Sequence, residues 1–337
     1  MPDELQTIQP GGGVVMRLEL AWGRLRRWYL RRLRPGYVRH MAEKRKGSCP
    51  DCPHDIVDPR DLKYVRNRCG YYWEPEDDPF AYRDRLPFAR AGLAELVVLS
   101  IIFFGTALGL GVWLALAPPP SPWRFAAGLS ALAAAVCGVL VVWFFRDPPR
   151  TIPAGPGLIV SPADGKVVSI ERIDDEYVGR PALTIGIFLS IFNVHLNRSP
   201  ADARVVGLKY KPGKCLNALR PESARENESL SILLEDLSPH RRPMIVRQIT
   251  GAIARRIVCW VRPGQILKRG ERLGMIKLGS RTELILPDTP DLRLEVAVGA
   301  RVRAGASVLA RYADDAAGQT TQADQDTQPA ALSQPDH

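Results

Sequence analysis

Two long apolar runs, separated by a short proline-rich connection, constrain this chain more than any other feature. Residues 96–117 contain no charged side chain, and residues 125–145 are a second such run, rich in Ala, Val and Gly. Each run is long enough to cross a hydrocarbon core of ~30 Å as a helix. Since the connection at 118–124 is too short for anything but a hairpin, we expect a two-helix membrane hairpin over residues 92–145. Two buried core helices are the alternative.

The distribution of basic residues predicts how this hairpin is oriented. They crowd into residues 1–91 and recur after residue 145. The positive-inside rule then places both ends of the hairpin in the cytoplasm. We therefore expect the remainder of the chain to work at the cytoplasmic face of the cell membrane.

The net charge of +10 is compatible with three kinds of partner: nucleic acid, an anionic membrane or an acidic substrate. Nucleic-acid binding would leave the hairpin unexplained, so we expect no nucleic acid and a phospholipid membrane instead. The six cysteines are scattered and no signal peptide is evident, which favours a reduced, cytosolic setting over a disulfide framework.

The basic region at residues 1–91 opens with an amphipathic pattern. Between residues 17 and 34, apolar side chains recur at three- and four-residue spacing, and five arginines project from the opposite side of the same helix. The apolar positions are Leu18, Trp22, Leu25, Tyr29 and Leu33. This pattern suits a helix lying on an anionic membrane surface. A helix packed on its own domain, with its basic face in solvent, is the alternative.

A cysteine motif follows in the same region. Cys49 and Cys52 form a C-x-x-C pair, and Cys69 lies further along the chain. The arrangement resembles half of a zinc ribbon, because two thiolates three positions apart can share one metal. The second half is incomplete, so His54 or His40 would have to supply the fourth ligand. We assign no metal to the catalytic site and leave zinc binding by this segment open.

Residues 146–312 change character and predict a mostly β domain. Short β-rich runs are broken by Gly and Pro, at 158–160, 166–170, 182–189, 204–210, 229–234, 244–251, 255–261 and 294–298. Many short strands with turns between them indicate a sandwich or barrel. Residues 266–274 and 301–309 form a faint repeat of strand, Gly turn and strand, typical of lipoyl-like barrel-sandwich folds. Residues 313–337 have almost no apolar side chains and are predicted to be a disordered tail.

One dipeptide in this domain, Gly279-Ser280, lies between two short strand-like runs, residues 272–277 and 282–286, and offers unusual chemistry. Gly279 has no side chain, so its carbonyl can be approached closely. If a base takes the Ser280 proton, Oγ can attack that carbonyl and convert the amide to an ester. β-Elimination would then cut the chain and leave dehydroalanine, which hydrolyses to a pyruvoyl group. Gly-Ser is also a common turn dipeptide, so the four residues LGSR at 278–281 indicate little alone.

Three motifs in a fixed order identify a family. They are FFRDPPR (144–150) leading to SPADGKV (161–167), then IFNVHLNRSP (191–200), then LGSR (278–281). In this order and spacing, the chain closely resembles phosphatidylserine decarboxylase in its short bacterial and archaeal form, over about residues 143–312. Further agreement comes from KYKPGK (209–214), NA (217–218) and ENE (226–228). Residues 1–91 have no evident counterpart in the short form.

The resemblance implies roles for four residues. Asp164 orients His195, His195 deprotonates Ser280, and the bond between Gly279 and Ser280 is cleaved. The products are a large chain, residues 1–279, and a small chain, residues 280–337, that carries the pyruvoyl cofactor made from Ser280. The substrate is phosphatidylserine and the product phosphatidylethanolamine. Some relatives carry a further histidine where this chain has Phe192, so a role of that histidine does not transfer, and whether His195 serves both cleavage and decarboxylation stays open.

Alternatives remain at this point. A pyruvoyl enzyme could act on another serine lipid, or the β domain could be a non-catalytic, lipoyl-like binding module tethered to the membrane. The sequence also leaves a homodimer open.

Overall fold

The computed structural model describes residues 13–49, 52, 55–66, 69–116, 122–218, 220, 222–252, 256–277 and 280–313. Four predicted features lie outside these residues: His54, the first part of the hairpin connection at 118–121, Gly279 and the tail from residue 314 onward.

The N-terminal region begins with helices α1 (Gly13–Leu33) and α2 (Pro35–Lys44), followed by short 3-10 helices, of which Pro59–Tyr64 is the longest. Asp58 caps Pro59–Tyr64 by a capping box with Asp61, which satisfies backbone amides that the helix start leaves unpaired. A small core closes this region, and its buried members are Met41, Cys49, Ile56, Leu62, Tyr64, Val65, Cys69 and Trp73.

Helix α1 packs on its own domain, as the second interpretation of its pattern predicted, but not through its apolar row. Glu19, Gly23, Arg27 and Leu30 are buried, so this side of α1 packs on the protein. Arg27 donates to Asp61 of the 3-10 helix, with 3.0 Å between Nη1 and Oδ1. The predicted apolar row stays exposed, and it consists of Leu18, Trp22, Leu25, Tyr29 and Leu33. The helix therefore docks through a partly charged face and leaves an apolar face uncovered.

Two apolar helices follow, α3 (Leu93–Leu116) and α4 (Arg124–Phe144), and both are long and apolar enough to span a membrane. They pack against each other, and ring atoms of Phe104 lie so close to Gly138 that a Cβ there would come within 2.8 Å. Most of their large apolar side chains are exposed, which distinguishes them from buried core helices. Where α3 begins and α4 ends, the amide of Ala89 donates to the carbonyl of Phe145 at 2.8 Å.

The remaining chain is mostly β, as predicted. Its main sheet has eight strands in the order β13-β2-β3-β11-β7-β6-β5-β9, with every neighbouring pair antiparallel. These strands are β2 (Gly165–Asp175), β3 (Gly179–Leu189), β5 (Ala203–Lys211), β6 (Ser229–Asp236), β7 (Pro243–Ile249), β9 (Ile266–Leu267), β11 (Ser280–Pro287) and β13 (Arg301–Val302). The sheet curls around a core of buried aliphatic side chains.

Two three-stranded sheets complete the domain. One has the order β4-β10-β8 and consists of β4 (Leu196–Arg198), β10 (Arg272–Lys277) and β8 (Arg256–Cys259). The other has the order β1-β14-β12 and consists of β1 (Leu158–Val160), β14 (Val308–Tyr312) and β12 (Leu292–Leu294). A single short helix, α5 (Ser223–Glu226), precedes β6 among the described residues.

The predicted strands match these elements with two differences. The run at 294–298 contributes only Leu294 to a strand, and β4 lies in a motif that carried no strand prediction. The repeat is present as β9-turn-β10 and β13-turn-β14. Its turn glycines, Gly270 and Gly305, have φ of +78° and +75°, values that favour glycine. A Cβ on either glycine would contact Ile152, so the two turns meet at one side chain. The lipoyl-like fold stays a prediction.

Candidate active site

Ser280 is the first residue of β11, where it pairs with Leu189 of β3. Its side chain is fully buried, and Oγ makes no hydrogen bond to any part of the chain that the structure describes. A buried hydroxyl without a partner costs free energy, because it gives up its hydrogen bonds to water. Gly279, the predicted other half of the cleaved bond, lies outside the described residues.

The strand that begins at Ser280 is held by polar contacts on both faces. On one face, Arg281 donates to Glu283 at 2.9 Å and to Ser169 at 2.8 Å. On the other face, Thr282 Oγ1 accepts a hydrogen bond from Asn197 Nδ2 at 2.9 Å. Because side chains alternate along a strand, Ser280 and Thr282 share a face. The contacts of Thr282 therefore fix the direction in which Ser280 points.

His195 lies immediately before β4 and is 1% exposed. Its Nδ1 is 2.9 Å from the carbonyl oxygen of Asn193. A carbonyl can only accept, so Nδ1 carries the proton and Nε2 is the basic nitrogen of the ring. The Asn193 side chain stabilises the turn by accepting from both the amide and the hydroxyl of Ser190, at 2.9 and 2.7 Å. The turn thus selects the tautomer that a general base requires.

The surroundings of His195 keep the imidazole neutral. Burial lowers its pKa to about 4, the hydrogen bond to Asn193 opposes this effect, and the charge of Arg146 adds to it. The ring of Phe144 packs against the imidazole, with 4.6 Å between the two ring centroids. At neutral pH, the imidazole of His195 is therefore uncharged, and it lies beside the last residue of α4.

Asp164 lies in the turn before β2, and its contacts differ from those expected. Its carboxylate accepts from Arg150, with distances of 3.0 and 2.9 Å to the two oxygens, and from the amide of Ala304 at 2.7 Å. Within the described residues it makes no hydrogen bond to His195. Both carboxylate oxygens of Asp164 therefore accept a hydrogen bond from the charged guanidinium, and Oδ1 also accepts one from the amide. The orienting role of Asp164 toward His195 stays a prediction, and the observed partner of Nδ1 is a main-chain carbonyl.

The sequence predicted no role for several residues that lie near Ser280, His195 or Asp164 in the structure. Asn193, Asn197 and Arg150 were inside the quoted motifs, but no role was given to them. Gln248, whose Nε2 donates to Asn197 Oδ1 at 2.8 Å, lies in a β-rich run without any chemical signal. Motif membership could have flagged the first three. Only the pairing of β7 with β11, which sets Gln248 opposite Thr282, reveals the fourth.

These features define the class: a mostly β domain, next to two apolar helices, that contains a buried serine hydroxyl and a buried, neutral imidazole. Comparison with known proteins then identifies the family. Residues 138–310 match the family model of phosphatidylserine decarboxylase. The chain belongs to the phosphatidylserine decarboxylase family.

Named relatives agree with the family model. A phosphatidylserine decarboxylase proenzyme of Rhodopirellula baltica is 49% identical over 252 residues, which cover 74% of this chain and 99% of the relative. One of Syntrophus aciditrophicus is 38% identical over 237 residues, covering 70% of this chain and 99% of the relative. One of Nitrosomonas eutropha is 42% identical over 188 residues, covering 56% and 85%.

Proposed function

We propose that this chain is the precursor of a membrane-associated, pyruvoyl-dependent decarboxylase that converts phosphatidylserine to phosphatidylethanolamine. The observation that carries the proposal is the Ser280 hydroxyl, which is fully buried and lacks a hydrogen-bond partner among the described residues. The relatives' names support it, because a proenzyme is a precursor. The site residues in this proposal are Gly279, Ser280, His195 and Asp164.

Self-cleavage between residues 279 and 280 proceeds in three balanced steps. Ser280 Oγ loses its proton to a base and attacks the Gly279 carbonyl carbon, so that the C–N bond breaks and an ester forms. Removal of the Cα proton of Ser280 then breaks the Cβ–Oγ bond, which releases the large chain, residues 1–279, with a C-terminal carboxylate. Water replaces the amino nitrogen of the resulting dehydroalanine, and ammonia leaves. The small chain, residues 280–337, now begins with a ketone.

His195 is the base in this proposal, and two contacts support its position. The amide of Ile276 donates to the His195 carbonyl at 3.1 Å, only four residues before Ser280. Asn197 and Thr282, each two residues beyond His195 and Ser280 respectively, are hydrogen-bonded at 2.9 Å. Since side chains two positions apart share a face of an extended strand, this contact favours an imidazole directed toward the serine.

The site fits the cofactor that the family implies. The buried Ser280 side chain has no hydrogen bond to break among the described residues, so its conversion to a carbonyl costs none of the surrounding contacts. When formed, the pyruvoyl group supplies an electron sink for decarboxylation of an amino acid headgroup. The residues around it exclude water, and His195 holds or releases a proton at Nε2.

Membrane association is supported by the two apolar helices and by α1. The hydrogen bond between Ala89 and Phe145 ties the start of α3 to the end of α4, so both exits lie at the same end of the helix pair. We propose that this end faces the cytoplasm, together with the catalytic domain. The exposed apolar row on α1 and its neighbouring arginines suit insertion at an anionic surface. A cleft beside that row is lined by Arg24, Arg27, Trp28, Arg31, Arg32 and Asp55.

The decisive experiment is a denaturing gel with intact-mass analysis of purified protein, paired with a decarboxylation assay on phosphatidylserine in detergent micelles. We expect two chains, of which the small one starts with a pyruvoyl-modified residue 280. Ser280→Ala should remain one inactive chain. Ser130→Ala, on an exposed position of α4, is the matched control and should be cleaved and active. An uncut wild-type chain with full activity would overturn the proposal, and an uncut inactive one would favour a binding module.

A further inference from the structure

We propose that Cys49, Cys52 and Cys69 bind a structural zinc ion that holds the N-terminal region together. Their three Sγ atoms all lie within 4.8 Å of one another, although Cys69 is 17 residues beyond Cys52 in the chain. Thiolates around one zinc at about 2.3 Å stand about 3.8 Å apart when the geometry is tetrahedral. None of the three forms a disulfide within the described residues, so no disulfide accounts for the cluster.

The backbone around the cluster brings its two halves together. Lys46 and Tyr72 exchange both backbone hydrogen bonds, at 2.9 and 3.0 Å, and the amide of Gly70 donates to the Ser48 carbonyl at 3.0 Å. Gly47 has φ of +83°, and a Cβ on it would lie 2.2 Å from the Gly70 carbonyl oxygen. Only glycine permits this approach. The segment before Cys49 and the segment after Cys69 are therefore paired directly beside the cluster.

One backbone donor and one cation lie close to the cluster. The amide of Tyr71 donates to Cys69 Sγ at 3.4 Å, the kind of second contact that orients a metal ligand. The buried guanidinium of Arg66 lies near Cys69 and donates to the Tyr71 carbonyl at 2.9 Å. Soft sulfur ligands select zinc over magnesium or calcium.

The region has a physical need for such a crosslink. Among the described residues, its core contains eight buried apolar side chains, and two of them are cysteines of the cluster. A core of this size gives little net stability, and small natural domains often compensate with a metal. Both Met41 and Trp73 belong to this core, and Trp73 Nε1 donates to the Met41 carbonyl at 2.8 Å. Because Cys49 and Cys52 follow α2 and Cys69 follows the 3-10 helix, a zinc ion would also join these two segments.

The test measures zinc in the full-length chain, purified in detergent without added metal and extensively desalted. We expect one zinc per chain. Refolding or exchange with Co²⁺ alone should give the intense sulfur-to-cobalt absorption of thiolate ligands. Cys69→Ser should lose most of the zinc and this absorption, whereas Cys137→Ser, a cysteine on α4 outside the cluster, should keep both. Absence of zinc and of the cobalt spectrum in the wild type would overturn the proposal.

A second measurement uses only the wild-type protein, because Cys69→Ser could fail to fold. Cys52 is half-buried, so a small alkylating reagent should reach it unless a metal holds its sulfur. We expect mass spectrometry to find Cys52 protected before, and modified after, treatment with a strong chelator. Equal labelling with and without chelator would contradict the proposal. Neither measurement depends on cleavage at Ser280, so the outcome is independent of the proposed function.

Discussion

Lys277, the last residue of β10, donates to Glu19 of α1 with 2.8 Å between Nζ and Oε1. The same ammonium contacts Glu95 at the start of α3, and Arg256 of β8 lies 3.6 Å from the second oxygen of Glu19. The N-terminal helix, the first apolar helix and the strand that leads to Ser280 thus meet at one buried charge cluster. The N-terminal region is therefore in direct contact with the strand that leads to Ser280.

The first prediction concerns Glu19. Burial alone would raise its pKa, but the charges of Arg256, Lys277 and Lys63 outweigh burial and hold the pKa well below its usual value of 4.5. Glu19→Gln leaves buried cations without this partner and should lower the free energy of unfolding by roughly 3 kcal/mol. Denaturant unfolding in detergent measures the change. Glu43→Gln, on an exposed position of α2, is the control.

The pH dependence of this contribution has a definite sign. The folded pKa of Glu19 is depressed, so its stabilising effect is present above pH 4.5 and is lost as pH falls toward the folded pKa. The difference in stability between wild type and Glu19→Gln should therefore shrink in acid. A difference that grew in acid, or a variant as stable as Glu43→Gln, would contradict the assigned contact.

The second prediction concerns the pH profile of self-cleavage. Because the pKa of His195 is lowered to about 4, the imidazole stays neutral in mild acid. Cleavage of freshly synthesised precursor should be nearly constant from about pH 8 to 5.5, whereas a base with an ordinary pKa of about 6.5 would slow about tenfold at pH 5.5. A gel time course after a pH jump measures this. A midpoint near pH 6.5 would refute the prediction.

The variant Phe144→Ala tests whether burial causes the lowered pKa of His195. Removing the ring admits water to His195, so the pKa should rise toward its ordinary value and the acid limb should move to higher pH. Circular dichroism at each pH separates this shift from unfolding.

The depressed pKa also means that the contribution of His195 to stability is present above about pH 6.5 and is lost as pH falls through about 4.

The local patterns in the sequence predicted most of the fold. Alternating apolar runs became β2, β3, β5, β6 and β7 within a few residues, and the charge-free runs became α3 and α4. These elements follow from short-range periodicity, which survives in a single sequence. The glycine turns at Gly270 and Gly305 were likewise visible, because positive φ is a local property.

The contacts that build the site were not predictable in the same way. The partner of His195 was expected to be a carboxylate, but a carbonyl two residues earlier in the chain holds Nδ1. Every residue carries a carbonyl, so the sequence contains no signal for this contact. The docking face of α1 was also missed, since Glu19 and Arg27 look like solvent-facing residues until Lys277 and Asp61 are placed opposite them.

The third prediction concerns Asn193 as a positioning residue. Its side-chain oxygen accepts two hydrogen bonds from Ser190, and these hold the turn whose carbonyl fixes His195. Asn193→Ala removes both bonds, each worth about 1 kcal/mol, and should slow cleavage about tenfold or more. Asn193→Asp keeps the accepting oxygen and should cleave close to the wild-type rate. Equal rates for Asn193→Ala and wild type would remove this role.

The final prediction separates two roles for Asp164. If Asp164 serves mainly to clamp Arg150 and the amide of Ala304, then Asp164→Asn and Arg150→Met break the same ion pair. The two changes should slow cleavage to a similar extent, and the double variant should be little worse than either one, because effects within one contact do not add. Both variants should keep the flat pH profile of the wild type. If Asp164 instead orients His195 during cleavage, Asp164→Asn alone should be far more harmful and should shift that profile, since the imidazole would lose a carboxylate that favours its charged form. Measuring cleavage rates for the three variants between pH 5 and 8 therefore decides whether the carboxylate acts through the guanidinium or through the imidazole.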